Sequence, residues 1–249
     1  MTIRIGTSGW VYAHWRGVFY PADLPQRDWF SFYAGSFDTV EINNSFYRLP
    51  PAATFETWRQ QAPAGFVYAV KASRYLTHLK KLKDPEAPLT RFFEHAGCLG
   101  RTLGPVLYQL PPHWRVNLPR FEHFLASLPA GNTHVVEFRD QSWLIEEVFR
   151  LMERFGVAHC IHDMHPLRVP YCATARTVYV RFHGDMENYG DYPPATLAIW
   201  AERIEGWRLQ GHNVFVYFNN DIFGYAVKNA LALMRLLGVE RRTAGVLTP

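Results

Sequence analysis

Val178-Tyr179-Val180-Arg181-Phe182-His183 decides how the rest of the chain is read. In an extended segment successive side chains point to opposite faces, so Val178, Val180 and Phe182 share one face and Arg181 and His183 the other. A strand that is apolar on one side and charged on the other suits a parallel barrel, with helices covering the outside and side chains filling the inside. Three further stretches repeat the pattern: Val40-Glu41-Ile42-Asn43, Val135-Val136-Glu137-Phe138-Arg139 and Val214 to Asn219. Their apolar residues face out, which turns Glu41, Asn43, Glu137, Arg139, Tyr217 and Asn219 inward. Arg4, Lys71, Gln109 and Asp163 join them on the same reading.

Working outward, eight short β-rich runs alternate with helix-like runs, the mark of parallel βα units. The runs are Ile3 to Gly6, Thr39 to Asn43, Phe66 to Lys71, Val106 to Leu110, His134 to Phe138, Val157 to Ile161, Val178 to Phe182 and Val214 to Phe218. Helical spacing appears between them, as in Phe121-Phe124-Leu125-Leu128 and Leu197-Trp200-Ile204-Trp207. Leu49-Pro50-Pro51 and Leu110-Pro111-Pro112 read as strand stops, and Gly65, Gly156, Gly211 and Gly238 as helix-ending glycines. Long segments follow several strands, notably Ser73 to Pro88 and Asp163 to Arg176. With 249 residues, near the ~250 of one (β/α)8 barrel, the expected architecture is a single TIM-type α/β barrel spanning residues 1–249.

The formal charge of +4 permits anionic ligands without demanding nucleic acid. Cys98, Cys160 and Cys172 form an odd set with no CxxC pair, which argues against a disulfide framework or a zinc ribbon. No apolar stretch has signal-peptide or membrane-spanning length. The expected setting is therefore reducing and cytoplasmic, with no membrane partner.

Several motifs together resemble the YecE-like proteins, also called domain of unknown function 72. They are Gly6-Thr7-Ser8-Gly9-Trp10 with Trp15-Arg16-Gly17; Glu41-Ile42-Asn43-Asn44-Ser45-Phe46-Tyr47; Lys71-Ala72-Ser73-Arg74-Tyr75-Leu76-Thr77-His78; Gln109-Leu110-Pro111-Pro112; Glu137-Phe138-Arg139 with Ser142-Trp143; Arg181-Phe182-His183-Gly184; and Phe218-Asn219-Asn220-Asp221. The resemblance covers nearly the whole chain. It implies a TIM-type barrel and no established reaction. The family often has histidine after Glu-Phe-Arg, where this chain has Asp140.

Charged residues from separate strands converge at the carboxyl ends, where barrel enzymes place catalytic groups. The expected enzyme acts on a small polyhydroxylated or phosphorylated substrate by acid/base chemistry. Glu41 and Glu137 would form the acid/base pair, their pKa values separated by environment. His183 would carry protons, and Lys71 and Arg181 would hold an anionic group. Lys71 also permits Schiff-base chemistry, ranked below anion binding because two glutamates lie nearby. Trp10, Tyr12, Tyr47 and Trp143 are expected to rim the pocket, with Asn43, Gln109, Arg139, Asn219 and Asp221 contacting substrate. The opposing reading is an internal ion-pair lattice that plugs the barrel.

No cofactor is required by the sequence, and a divalent metal remains open on Glu137, Asp163, His183 and Asp221. His162 is expected to be packed or solvent-facing, because neighbouring strand residues point apart. A nucleic-acid reading rests on Arg74, Lys80, Lys81 and Lys83 with Tyr12, Trp15, Tyr47, Tyr75 and Trp143; the modest charge ranks it lower, beside a ligand-binding barrel without catalysis. The approach through Gly224 to the last helix could offer amides to a phosphate, or Asp221 could serve only as a cap.

Overall fold

The computed structural model describes residues 1–239. Its eight strands are β1 (Ile3–Thr7), β2 (Thr39–Ile42), β3 (Val67–Lys71), β4 (Leu103–Gln109), β5 (His134–Glu137), β6 (Ala158–His162), β7 (Thr177–Phe182) and β8 (Asn213–Phe218). All pair in parallel, in the order β1-β8-β7-β6-β5-β4-β3-β2. An isolated parallel bridge between Ser8 and Glu41 joins the two ends of that order. The expected barrel is present, with every expected strand found to within a few residues.

The seam between β1 and β2 is closed partly by a side chain. The Tyr33 hydroxyl, from α1 (Trp29–Ser36), accepts from Thr7 N at 3.0 Å and donates to Thr39 O at 3.0 Å. It bridges the two strands where the regular ladder is missing, satisfying groups whose burial unpaired would be costly. Gly6 permits the close approach, since a Cβ there would stand 2.3 Å from Thr39 O.

The other helices are α2 (Asn44–Tyr47), α3 (Ala52–Gln61), α4 (Glu86–Ala96), α5 (Leu118–Ala126), α6 (Glu146–Phe155), α7 (Pro194–Leu209) and α8 (Tyr225–Leu237). Local chemistry explains their ends. Asn117 Oδ1 accepts from Arg120 N at 3.1 Å to start α5, the N-cap role for which asparagine is favoured. Helix α6 has Glu146 and Glu147 in its first turn, Arg154 in its last, and left-handed Gly156 behind it, matching both the macrodipole and the αL stop. Gly65, Gly211 and Gly238 also take positive φ. Two expectations need correction. Leu49-Pro50-Pro51 leads into α3 and does not stop a strand, and no helix intervenes between β6 and β7, where the connection is irregular.

Two apolar bodies result. The larger lies between barrel and helices and includes Trp15, Phe30, Tyr33, Phe121, Trp143 and Trp207. The smaller fills the barrel's lower interior with Ala69, Leu107, Val135, Ala158, Cys160, Tyr179 and Tyr217. Above it, toward the carboxyl ends, the inward positions become polar. All three cysteines are free thiols, Cys160 buried and the other two partly exposed. No helix among the described residues is long and apolar enough to cross a membrane.

Candidate functional site

Arg181, projecting inward from β7, ties the polar layer together. Its Nε and one terminal nitrogen donate to the two oxygens of Glu41 at 3.0 and 2.8 Å, while the other terminal nitrogen donates to Glu137 Oε2 at 2.7 Å. One guanidinium therefore bridges carboxylates from β2 and β5, using the fixed fork that arginine offers. Glu41 also accepts from Ser8 Oγ at 2.7 Å, Asn43 Nδ2 at 3.0 Å and the Tyr179 hydroxyl at 2.6 Å. Glu137 Oε1 accepts from Gln109 Nε2 at 2.8 Å and from Arg139 Nε. Arg181 and both glutamates are almost wholly buried.

Burial alone would raise both carboxyl pKa values. For Glu41 it is outweighed by Arg181 and by hydrogen bonds from Tyr179, Arg181 and Ser8, which hold the value below the ordinary one. For Glu137 it is outweighed by Arg139 and Arg181, which hold it well below. Neither carboxyl is pushed up toward neutral pH, as a general acid would need, and both accept from several donors. Arg181 likewise has no exposed face for a substrate anion. These three residues form the ion-pair lattice.

His183 extends the lattice. A terminal nitrogen of Arg139 lies 3.2 Å from His183 Nε2, and the Asn219 amide lies 3.2 Å from Nδ1. Arginine can only donate, so Nε2 accepts, Nδ1 carries the proton, and the tautomer calls for the amide oxygen of Asn219 opposite it. Burial, reinforced by Arg181, lowers the His183 pKa to about 2. The ring is therefore neutral, with Nε2 engaged by Arg139.

Lys71, at the end of β3, is different. Only 9% of its surface is exposed. Its Nζ sits over the Phe46 ring at 4.1 Å from the centroid and has no hydrogen-bond or ion partner among the described residues. Burial and then Arg181 lower its pKa to about 8, against the opposing pull of Glu137 and Glu41. His78 shares the corner, its ring 4.9 Å from that of Phe46 and Nδ1 2.9 Å from Thr77 Oγ1. A π-helical turn, Tyr75–Leu79, carries it there, a distortion common at functional sites. Burial, followed by Lys71 and Arg74, takes the His78 pKa down to about 4.

A cavity of about 450 Å³ opens between β4, β5 and the segment after β6, lined by Gln109, His113, Arg139, Asp140, Met164 and His165 and not by Lys71. Gln109 and Arg139 thus border this cavity while also donating to Glu137. Asp140 accepts from Ser142 N and Oγ at 3.0 and 2.7 Å and starts the turn Gln141–Trp143.

The aromatic rim is corrected in part. Trp143 is wholly buried, stacked on Phe138 and donating Nε1 to Trp114 O at 2.6 Å. Its side chain belongs to the helix layer and cannot touch a ligand. Trp10 packs edge-on against Phe30 and Trp58, and Trp15 is also wholly buried. Tyr12 does stand near the site: its hydroxyl donates to Ser8 O at 2.5 Å, and its pKa is raised by burial and then by Asp221 and Glu41. Tyr47 is 72% exposed.

Asp163 follows β6, where strand parity is one residue from that expected. Cys160 faces the interior, so His162 follows it inward, with Nε2 2.9 Å from Phe138 O and its ring 5.9 Å from that of His183. Asp163 instead accepts from His183 N at 2.8 Å and from the Tyr192 hydroxyl. Burial raises its pKa. Asp221 O lies 2.7 Å from His14 Nε2 and accepts from Gly224 N at 3.1 Å, the turn-forming role. Glu137, Asp163, His183 and Asp221 do not gather, and no cluster of three metal-ligating side chains occurs among the described residues. Arg4 is inward but at the opposite mouth, paired with Asp38 at 2.7 Å.

Sequence reasoning missed Ser8 and Tyr179. Both sit at inward parity, and Tyr179 is two residues before Arg181 on the face already read as internal.

Comparisons with known proteins agree with this architecture. The family described as "Protein of unknown function DUF72" matches residues 4–249. The "UPF0759 protein YunF" of Bacillus subtilis is 25% identical, with 96% of this chain and 95% of that protein covered. A DUF72 family crystal structure from Thermotoga maritima is 26% identical with a TM-score of 0.86, covering 96% of this chain and all of that one. A second, from Enterococcus faecalis, is 20% identical with a TM-score of 0.80, covering 98% of this chain and all of that one, and speaks to fold alone.

Proposed function

The chain belongs to the DUF72 family, a description that names no reaction, and we propose that it is an enzyme acting on a small polyhydroxylated or phosphorylated substrate by proton transfer at the carboxyl-end mouth of its barrel. One observation carries the reading: Lys71 is buried at the mouth without a counter-ion, and its pKa falls to about 8. A group that titrates near the working pH can both donate and accept a proton, which is the requirement for acid/base catalysis. Gln109 and Arg139 border the cavity on the β4 and β5 side of the mouth and would grip substrate oxygens or an anionic group. The Arg181 lattice would hold the strand ends in place without touching the reacting atoms, as a rigid support does for a preorganised site.

Incubating the protein with a metabolite extract, with mass-spectrometric comparison against Lys71→Met, tests the reading. We expect at least one compound to be consumed by the wild type alone. Identical extracts for both proteins would sink it. The saturation of Glu41 and Glu137 favours a second reading, a barrel that binds such a compound without transforming it. In that case native mass spectrometry would show a copurified ligand with no turnover.

A further inference from the structure

We propose that Lys71 is an amine nucleophile and that the substrate class is a small aldehyde or ketone bearing hydroxyl or anionic groups, captured as an imine on Nζ. The proposal deepens the reading of the mouth as an enzyme site and rests on it.

The geometry separates Lys71 from an ordinary buried lysine. Two carboxylates lie in the same polar layer, and a lysine there would be expected to pair with one. Arg181 takes both, joined at Glu137 by Arg139 and Gln109. What is left for Nζ is the face of Phe46. The backbone of Lys71 is held fixed: its carbonyl accepts from Ser45 Oγ at 2.6 Å, and the next amide, Ala72 N, donates to Leu107 O at 2.8 Å. The amine is thus presented at one place, largely buried and without a salt bridge to break before it can react. A buried lysine near other cations is the setting that makes an amine a usable nucleophile at neutral pH. The low pKa that follows leaves an appreciable fraction of free amine near pH 7.5.

The proton accounting closes within the corner and its solvent. The ammonium first gives up one proton; the lone pair of neutral Nζ then forms a C–N bond to the carbonyl carbon as the C=O π bond breaks, and one of the nitrogen's two protons passes to the oxygen to give a carbinolamine. A second proton reaches that oxygen, the C–O bond breaks, water leaves, and a protonated imine remains. The sum is one ammonium plus one carbonyl giving one iminium plus one water, with no oxidant or reductant. His78, neutral and packed against the same Phe46 ring, and solvent would exchange protons during these steps. Arg139 and Gln109, which line a cavity on the neighbouring β4 and β5 side of the mouth, would hold the oxygen-rich remainder of the substrate.

Composition makes the test sharp, because the chain has five lysines, Lys71, Lys80, Lys81, Lys83 and Lys228. The wild-type protein is treated at pH 7.5 with cyanoborohydride and either glyoxylate or glyceraldehyde 3-phosphate, and adducts are located by peptide mass mapping. We expect Lys71 to be labelled at least tenfold faster than each of the other four with at least one probe. Labelling at or below the rate of the exposed lysines with both probes overturns the proposal. Competitive acetylation across pH is run in parallel. If Lys71 titrates near 8 yet forms no preferential adduct, the nucleophile is rejected and the proton-transfer reading survives. If it titrates with the exposed lysines, both fall.

Discussion

Arg181 and Lys71 are both buried cations on the inner face of one barrel, yet their surroundings differ in kind. Arg181 meets two carboxylates in three hydrogen bonds of 2.7 to 3.0 Å. Lys71 meets an aromatic face. The difference lies in stoichiometry, because a forked cation that satisfies both glutamates leaves none for the second cation. Charges that complete one another hold a shape, whereas a charge left over is free to change its protonation and to meet a ligand.

The largest expected effect breaks the completed side. Arg181→Met leaves Glu41 and Glu137 buried without their shared cation and should cost roughly 3–5 kcal/mol in chemical denaturation. The triple variant Arg181→Met/Glu41→Leu/Glu137→Leu removes all three charges together and should recover most of that loss. A near-wild-type single variant would show that the lattice is not what holds these strand ends.

Next comes the leftover charge. Below about pH 8 the folded protein keeps Lys71 protonated in a place that disfavours the charge. Between about 8 and 10.5 the folded state has released this proton while the unfolded chain still binds it, so wild-type stability rises with pH across that window. Lys71→Met should therefore be more stable than the wild type at pH 7, by up to about 3 kcal/mol. The advantage should shrink toward pH 10.5. A variant less stable than wild type at pH 7 would mean that the ammonium has a partner worth keeping, and the contrast with Arg181 would collapse.

Much of this contrast's geometry was legible in the sequence, and its chemistry was not. Alternation in β2, β3, β5 and β7 put Glu41, Lys71, Glu137 and Arg181 inside, because each flanking face is strongly apolar. Strand β6 gave no such contrast: His159 and His162 occupy opposite faces, and the parity was assigned one residue off. Trp143 lies in a turn after β5, where no periodicity applies, and its neighbours in the helix layer come from distant parts of the chain. Who bonds to whom is also outside the reach of a pattern. Seven donor residues share the two carboxylates, Cys160 among them, and only the placed side chains show that Lys71 is not one of them.

A smaller effect tests the reach of the lattice through His183. Burial and Arg181 hold this imidazole neutral, with a pKa near 2 against 6.5 in the unfolded chain. Its contribution is complete above pH 6.5 and is lost as pH falls, since only the unfolded chain then takes up the proton. Between pH 6.5 and 5 the wild type should lose about 2 kcal/mol through this group, and His183→Asn should lose correspondingly less over the same range. Equal slopes would mean that the folded protein admits the proton, and that His183 belongs with Lys71 among the groups free to titrate.

The smallest expected effect concerns Tyr47, whose ring stands perpendicular to Phe46 at 5.1 Å while most of its surface faces solvent. It touches the Lys71 corner through Phe46 and has no hydrogen bond in the lattice. Tyr47→Ala should change unfolding free energy by no more than about 0.5 kcal/mol, as exposed substitutions usually do. Because most of the ring faces solvent, its edge-to-face contact sits at the low end of the usual range of about 0.5–1.5 kcal/mol, so its loss should loosen Phe46 and slow reductive labelling of Lys71 by roughly twofold. The two readouts point in different directions for the two sides of the comparison. A large stability loss with unchanged labelling would make Tyr47 part of the frame, and the aromatic corner would be no more a site than the lattice is. A slower adduct on an equally stable protein would place Tyr47 with Phe46 and Lys71, where an exposed ring beside an uncompensated amine has something other than folding to do.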